Sequence, residues 1–181
     1  MLPLMGQAAA TSVTESEFLA LPESNQPVEL VDGEVIVAPS PSFWHQEVLS
    51  RVVAALRAWA GDRPDVTVAQ APLDVRFGPG RILQPDAMVF LERLGLDVET
   101  PLSRIPEICV EVLSSNRAYD RLTKRYLYAE GGVAEYWLVD PGGLVERRSQ
   151  AGLASSEELR EQLSTPLLPG FILDIPSLFV G

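Results

Sequence analysis

A single glutamate inside an apolar segment is the feature that most limits how this chain can fold. Residues 108–113 have the composition of an interior β-strand, with Glu111 as the charged side chain among them. Burying an ionised carboxylate is costly unless it is paired or bound to a metal. The fold must therefore bring a cation to Glu111. An arginine or lysine would make the residue structural, a metal ion would make it functional, and the segment alone leaves both interpretations open.

A second carboxylate occupies a comparable position earlier in the chain. Asp86 follows Pro85 and opens an apolar strand predicted over residues 87–91. Because Pro-Asp is a common turn dipeptide, a structural role is the favoured interpretation of Asp86 considered alone. Two acids on neighbouring strands would nevertheless form an oxygen site suited to Mg²⁺ or Mn²⁺. Such an ion lowers the pKa of its water and stabilises charge on a phosphoryl group, and a nearby lysine could assist.

The rest of the chain alternates hairpin and helix patterns. Thr14 and Glu17 have the spacing of a capping box, which predicts a short helix that ends before Pro22. The Asp32-Gly33 pair between two β-rich runs predicts a hairpin over residues 28–37. Further helices are predicted over 43–60, 116–130 and 157–163, and further strands over 66–71, 73–77, 107–113, 136–139, 144–148 and 171–175. This mixture favours an α/β or α+β fold with a central mixed sheet and flanking helices.

The helix predicted over residues 116–130 has two different sides. One is an apolar stripe of Tyr119, Leu122, Tyr126 and Ala129, and the other carries Arg117, Arg121, Lys124, Arg125 and Tyr128. Arg117, Arg121 and Lys124 are spaced at i, i+4 and i+7, so they are expected to project together. Such residues contact phosphates without reading sequence. The alternative is an ordinary solvated helix face, which the spacing alone favours.

Length and composition indicate one globular domain over residues 1–181, with residues 1–12 expected to fray. No apolar run approaches the ~18 residues that cross a bilayer, so no membrane segment is expected. Cys109 is the single cysteine and is expected to be a buried structural thiol, which fits a reducing, cytoplasmic compartment. A formal net charge of -11 is unfavourable for nucleic-acid binding, because phosphate contacts need a basic surface. It does not exclude such binding, since the placement of the basic residues matters more.

Five short segments, taken in order, resemble the Uma2 family of restriction-endonuclease-like proteins. They are residues 30–34 (LVDGE), 85–89 (PDAMV), 110–114 (VEVLS), 119–126 (YDRLTKRY) and 132–140 (GVAEYWLVD). The family is assigned to the PD-(D/E)XK nuclease superfamily, whose fold is a mixed sheet flanked by helices. The resemblance therefore implies a restriction-endonuclease-like core over residues 28–148, with an N-terminal β-hairpin. Residues 149–181 are expected to form an extension that packs on this core.

The resemblance also implies a catalytic set. Asp86 matches the motif aspartate and Glu111 the motif glutamate, which makes both of them metal ligands. The superfamily usually places a lysine two residues after that glutamate, where this chain has Leu113. The family resembled relocates the lysine to the next helix, where Lys124 stands. Glu34 matches an acid that such nucleases bring from an N-terminal element, and a solvated hairpin residue is the alternative.

Two further side chains are candidates for lining the site. His45, in the first turn of the helix over residues 43–60, matches a histidine in the family pattern, with a hydrogen-bonded core residue as the alternative. Gln70 lies in a strand ahead of Asp86, and its side chain could face the site.

Two functional hypotheses follow. The first is a Mg²⁺-dependent endonuclease that hydrolyses the phosphodiester bonds of DNA, with Arg117 and Arg121 contacting the nucleic acid. The second is a non-catalytic binding module that keeps the nuclease fold, and the net charge of -11 favours it. Cleavage of both strands of a duplex would suit a homodimer, although nothing in the sequence specifies an interface.

Overall fold

The computed structural model describes residues 12–22, 24, 26–61 and 63–180, so the expectation for residues 1–12 falls outside it except at Ser12. The helices are α1 (Glu15–Leu19), α2 (Phe43–Ala60) and α3 (Arg125–Gly131), and a π-helical segment, Tyr119–Lys124, leads directly into α3. Short 3₁₀ turns cover Ala151–Leu153 and Pro176–Phe179. Among the described residues, no helix is both long and apolar enough to cross a membrane.

The strands form two main sheets and one short ribbon. They are β1 (Val28–Val31), β2 (Glu34–Val37), β3 (Thr67–Gln70), β4 (Val75–Gly78), β5 (Arg81–Leu83), β6 (Ala87–Phe90), β7 (Ile108–Val112), β8 (Glu135–Asp140), β9 (Leu144–Ser149), β10 (Ser155–Leu159), β11 (Gln162–Leu163) and β12 (Leu173–Asp174). The predicted hairpin is present as β1 and β2, and Asp32 and Gly33 at its turn both have positive φ. The smaller sheet has the order β2-β1-β5-β4. β5 was not predicted, because its three residues become a strand only by pairing with β1 and β4.

The central sheet has six strands in the order β10-β9-β8-β7-β6-β3. β7 and β8 run parallel, whereas the other neighbours in the sheet are antiparallel. The sheet is therefore mixed. Because α2 packs on one of its faces and α3 on the other, the predicted mixed fold with an N-terminal hairpin and flanking helices is confirmed.

Side chains of β7 alternate between two cores, one on each face of the sheet. Ile108 and Val110 pack with α2, whereas Cys109 and Leu113 pack on the side of α3. Since residues two apart in a strand share a face, Glu111 also lies on the α3 side. Cys109 is fully buried, as predicted.

The C-terminal segment packs on the α2 side of the sheet. Its apolar side chains join the core that α2 covers (Leu163, Leu168, Phe171, Leu173, Ile175 and Leu178). The helix predicted over residues 157–163 is wrong, because this stretch forms β10 and β11. β10 pairs with β9 along its whole length, and Glu157 binds the guanidinium group of Arg147 across the two strands at 3.0 Å. Cross-strand pairing of this kind overrides local helix propensity.

The apolar stripe predicted for the helix over residues 116–130 is also wrong. Leu122 is 66% exposed and Tyr126 is 54% exposed, whereas Lys124 and Tyr128 are buried. The π-helical segment has more residues per turn than an α-helix, so the 3.6-residue period used for the prediction does not hold through it. Buried carboxylates also compensate the burial of Lys124, and no local pattern reveals that partnership.

Candidate active site

Asp86 and Glu111 stand opposite each other at one end of the central sheet. Asp86 directly precedes β6, and the antiparallel register of β6 and β7 pairs Ala87 with Val110. The next pair along is therefore Asp86 with Glu111, and directly opposed residues place their side chains on the same face of a sheet. Both carboxylates line one cleft of about 780 Å³. The structure thus brings together the two acids that the sequence singled out.

The cleft opens where α2 begins. Its walls are the loop between β2 and α2, the turn after β3 and the segment that follows β7. Short polar residues and prolines line these loops, for example Ser40, Pro41, Pro72 and Ser115. The buried side chains of Glu29, Glu111 and Lys124 lie at its inner end.

Lys124 lies between two buried glutamates. Its Nζ is 2.8 Å from Glu111 Oε1 and 3.2 Å from Glu29 Oε1, and all three side chains are less than a tenth exposed. The lysine is the last residue of the π-helical segment, which packs over the face of β7 that carries Glu111. The protein itself therefore supplies the cation that the carboxylate in this buried strand requires.

Two phenols hold the same glutamates in place. Tyr128 donates a hydrogen bond of 2.5 Å to Glu111 Oε1, and Tyr119 donates one of 2.8 Å to Glu29 Oε2. The backbone N–H of Gln84 also donates to Glu29, at 2.9 Å. Burial and the neighbouring carboxylates raise the pKa of both phenols, because a phenolate here would be desolvated and repelled. Both hydroxyl groups therefore remain hydrogen-bond donors.

Asp86 is held through one of its two oxygens. Its Oδ2 accepts a 2.8 Å hydrogen bond from the backbone N–H of Val112, and His45 Nε2 lies 3.3 Å from the same oxygen. Ser42 caps α2 by accepting from the backbone N–H of His45, which starts the helix where its first turn faces the cleft. No hydrogen bond from a described residue reaches Asp86 Oδ1, so this oxygen remains available to a ligand.

The charges of this cluster do not balance. Burial raises the pKa of Glu111 well above its ordinary range; Lys124 opposes this shift, and Asp86 and Glu29 add to it. Burial also disfavours the charged form of Lys124, but the three carboxylates outweigh it, raise the pKa of the lysine and keep it protonated. Three carboxyl groups therefore share one ammonium group, and a bound divalent cation would compensate the negative charge that burial and crowding disfavour.

The donor atoms suit a hard cation whose coordination is completed by water. Within the described part of the chain, no three Asp, Glu, His or Cys side chains converge on a ready-made metal cage. Glu111 binds Lys124 and Tyr128 through Oε1, so Oε2 accepts nothing from the described residues, in the same way as Asp86 Oδ1. Mg²⁺ commonly takes one or two carboxylates and keeps several waters. These residues therefore fit Mg²⁺ or Mn²⁺ better than Zn²⁺, which favours histidine and cysteine ligands.

Glu29, and not Glu34, belongs to this cluster. Glu34 is exposed beside the hairpin turn, where it pairs with Val31, and it does not line the cleft. Glu29 is 2% exposed and lies within the apolar strand β1. The feature that identified Glu111, a carboxylate inside an apolar strand, also describes Glu29 and could have found it.

The other sequence candidates divide between the cleft and the surface. Gln70 lines the cleft, whereas Arg117 and Arg121 do not. Arg117 binds Asp140 at 2.7 Å, and Arg121 binds Glu146 at 2.6 Å. These acids neutralise much of the basic helix face, and its contact with nucleic acid stays a prediction.

The mixed sheet with helices on both faces gives this protein a nuclease-like fold. The structure is similar to the crystal structure of a putative nuclease belonging to DUF820 from Anabaena variabilis ATCC 29413. The TM-score is 0.77 and the sequence identity 24%, over 92% of this chain and 97% of that chain. At this identity the similarity concerns the fold.

The chain belongs to the Uma2 family, described as "Putative restriction endonuclease", because the family model matches residues 15–176. The family membership that the sequence motifs predicted is thereby confirmed. No significant match was found among curated proteins.

Proposed function

We propose that this protein is a metal-dependent endonuclease that hydrolyses phosphodiester bonds of DNA. The observation that carries the proposal is the cluster of Glu29, Asp86 and Glu111 around Lys124, at the inner end of an open cleft. Buried charges are costly to stability, and ionisable groups with shifted pKa values in a cleft are typical of catalytic sites. Membership of the Uma2 family and the nuclease fold favour the same class of activity.

Asp86 and Glu111 would hold Mg²⁺ or Mn²⁺ through the oxygens that accept no hydrogen bond from the described residues. When bound, the ion would act as a Lewis acid toward the phosphoryl group and make a water molecule more acidic. Neighbouring residues of the chain hold both carboxyl groups in a fixed orientation. Val112 and His45 orient Asp86, and Lys124 and Tyr128 orient Glu111.

Lys124 would act on the substrate as a charged hydrogen-bond donor. An ammonium group has three donors; one is hydrogen-bonded to Glu111, and Glu29 Oε1 lies at ion-pair distance, 3.2 Å away. Because Lys124 lines the cleft, a donor that is not bonded to Glu111 would be available to a water or a phosphoryl oxygen there. Since the carboxylates raise the pKa of Lys124 and keep it protonated, it would stabilise negative charge developing in the transition state and would not accept a proton.

Cleavage of plasmid DNA and of short oligonucleotides with Mg²⁺ and with Mn²⁺ tests this proposal. Glu111→Gln is nearly isosteric but removes the charge that holds a hard cation, so the variant should lose both cleavage and calorimetric metal binding. Glu135→Gln is the matched control. Glu135 is equally buried on the adjacent strand β8, but it accepts hydrogen bonds from Trp137 and Thr165 and lies outside the cleft. Cleavage that survives Glu111→Gln would place the chemistry elsewhere.

A second candidate function is a non-catalytic binding module on the same fold. The net charge of -11 favours it, together with the ion pair by which Lys124 already neutralises Glu111. Such a module would neither bind Mg²⁺ or Mn²⁺ nor cleave any substrate, so the metal titration separates the two candidates.

A further inference from the structure

Hydrolysis of a phosphodiester needs a proton acceptor, because the attacking water loses a proton as its oxygen binds phosphorus. The buried cluster does not supply that acceptor. The carboxylates raise the pKa of Lys124, and burial raises the pKa of Tyr128, so both groups keep their protons. Both already bind Glu111 Oε1, and Glu111 Oε2 is the proposed metal ligand. The acceptor is therefore expected outside this cluster.

Asp120 is a buried acid whose charge no cation of the protein neutralises. It is 5% exposed and lies in the π-helical segment, four residues before Lys124. Among the described residues, no lysine or arginine forms an ion pair with Asp120, and its neighbours Arg121 and Lys124 bind other acids. Its Oδ2 accepts hydrogen bonds from the backbone N–H and the hydroxyl group of Ser114, at 3.0 and 2.8 Å. Burying a carboxylate without a cation is costly, which suggests a use for its charge.

The second oxygen of Asp120 faces the cleft. Oδ1 accepts no hydrogen bond from a described residue, yet it is not one of the unpartnered side-chain atoms that are sealed from solvent. Because Asp120 lines the cleft, this oxygen is open to it. Glu135 differs, since Trp137 and Thr165 occupy both oxygens of its buried carboxyl group.

Asp120 and Asp86 stand along the same edge of β7. Leu113 donates its backbone N–H to β8, so the N–H groups of Val112 and Ser114 point to the opposite edge. Asp86 accepts the first of them and Asp120 the second. Since a strand advances about 3.3 Å per residue, these two N–H groups lie roughly 6.6 Å apart. A phosphoryl group beside Asp86 thus leaves room for a water beside Asp120, because reacting atoms approach to ~3–3.5 Å.

We propose that Asp120 is a catalytic residue that accepts the proton of the attacking water. This inference rests on the proposed function and assigns a further role within it. The water oxygen forms a bond to phosphorus, the bond between phosphorus and the leaving oxygen breaks, and the water proton passes to Asp120 Oδ1. The leaving oxygen takes a proton from solvent, and Asp120 then returns its own proton to solvent. The two bonds from Ser114 hold the carboxylate in place during this exchange.

Asp120→Asn tests this role, because it keeps the structural bonds. The amide oxygen of asparagine can accept both bonds from Ser114, whereas its NH₂ group, which then faces the cleft, cannot accept a proton. We expect single-turnover cleavage of plasmid DNA to slow by about 10²–10⁴-fold, as is typical for general base catalysis. Calorimetric binding of Mn²⁺ should stay at the wild-type affinity, and the urea midpoint should not fall. Glu135→Gln is the matched control and should cleave like the wild type, because this buried acid lies outside the cleft.

Formate provides a second measurement. Asp120→Ala removes the carboxylate altogether, and sodium formate should restore part of its cleavage without raising its urea midpoint. The same concentration of sodium chloride should restore nothing. A carboxylate that only held Ser114 in place would not be replaced in this way.

Wild-type cleavage by Asp120→Asn would overturn the inference and leave His45, which also lines the cleft, as the acceptor. Loss of Mn²⁺ binding would also overturn it, because Asp120 would then be a metal ligand, and so would the absence of rescue by formate. Each of these results is obtained against a wild type that cleaves DNA with Mg²⁺ or Mn²⁺. A wild type that cleaves no substrate would instead refute the proposed function, and this inference with it.

Discussion

Tyr128 donates a 2.5 Å hydrogen bond to Glu111 Oε1, the oxygen that also binds Lys124. The phenol is fully buried between Phe77 and Tyr136, and its ring lies 4.9 Å and 5.1 Å from theirs, centroid to centroid. The aromatic packing fixes the phenol, and the phenol in turn fixes the carboxylate. Tyr128 is therefore a positioning residue for Glu111.

We expect Tyr128→Phe to lower the free energy of unfolding by about 1–3 kcal/mol, because a buried carboxylate loses a donor while the ring packing remains. Urea denaturation measures this change. Tyr136→Phe is the control, since it removes a bond to the neutral backbone carbonyl of Asp120, which is typically worth about 0.5–1.5 kcal/mol. If the Tyr128→Phe variant were the more stable of the two, the hydrogen bond from Tyr128 would not support the carboxyl group of Glu111. Metal affinity should fall in Tyr128→Phe and remain unchanged in Tyr136→Phe.

Lys124→Met should separate stability from catalysis. Removing the ammonium group leaves buried carboxylates without their cation, which costs about 3–5 kcal/mol. Mg²⁺ should raise the unfolding temperature of this variant, because a ligand of the folded state stabilises it. Cleavage should nevertheless stay about 10²–10³-fold slower than in the wild type, since a charged donor to the transition state is missing. Differential scanning fluorimetry and single-turnover cleavage measure the two effects, and wild-type cleavage by the variant would exclude the proposed role of Lys124.

The exposed side of the helix formed by the π segment and α3 can be tested with one pair of substitutions. Leu122→Gln should change the free energy of unfolding by less than about 0.5 kcal/mol, because Leu122 is 66% exposed. Leu127→Ala should cost about 2–5 kcal/mol, because Leu127 is 1% exposed and packs in the core on the α3 side. Similar losses in the two variants would mean that the helix has a different rotation in solution.

The pair formed by Arg117 and Asp140 predicts a pH dependence of stability. The hydrogen bond from Arg117 lowers the pKa of Asp140; burial opposes the shift, and the backbone N–H of Gly142 adds to it. A lowered folded-state pKa stabilises the protein above the unfolded-state value of about 3.9. That contribution disappears as the pH falls through the folded-state value. Asp140→Asn should therefore lower the unfolding temperature at pH 7 by at most ~4 °C, as expected for a partly exposed pair worth up to about 1 kcal/mol.

The difference between Asp140→Asn and the wild type should shrink steadily below about pH 4, where the wild-type carboxylate also becomes protonated. Asp65→Asn serves as the control, because Asp65 is exposed and forms no ion pair with the described residues. A difference that persists unchanged at low pH would mean that the substitution acts by some route other than the charge of Asp140.

Local patterns predicted much of this structure because they depend on neighbours in the chain. The Asp32-Gly33 turn adopts the positive φ angles that an Asp-Gly hairpin requires. The apolar runs around Asp86 and Glu111 form adjacent strands of the central sheet, and the ordered motifs predicted the family that the comparison then confirmed. The helix predicted over residues 157–163 was wrong because this segment pairs with β9, and the pattern within one segment does not reveal its cross-strand partner.

By itself, the sequence determined which strands are buried and that Glu111 needs a partner, because burial of an unpaired carboxylate is costly wherever the strand lies. Only the tertiary structure decided which residues meet that need. It selected Glu29 over Glu34 as the third acid, and it turned Lys124 inward and Leu122 outward through a π-helical turn. It also paired Arg121 with Glu146, away from the cleft. These outcomes depend on contacts between residues far apart in the chain, and periodicity within one segment carries no information about them.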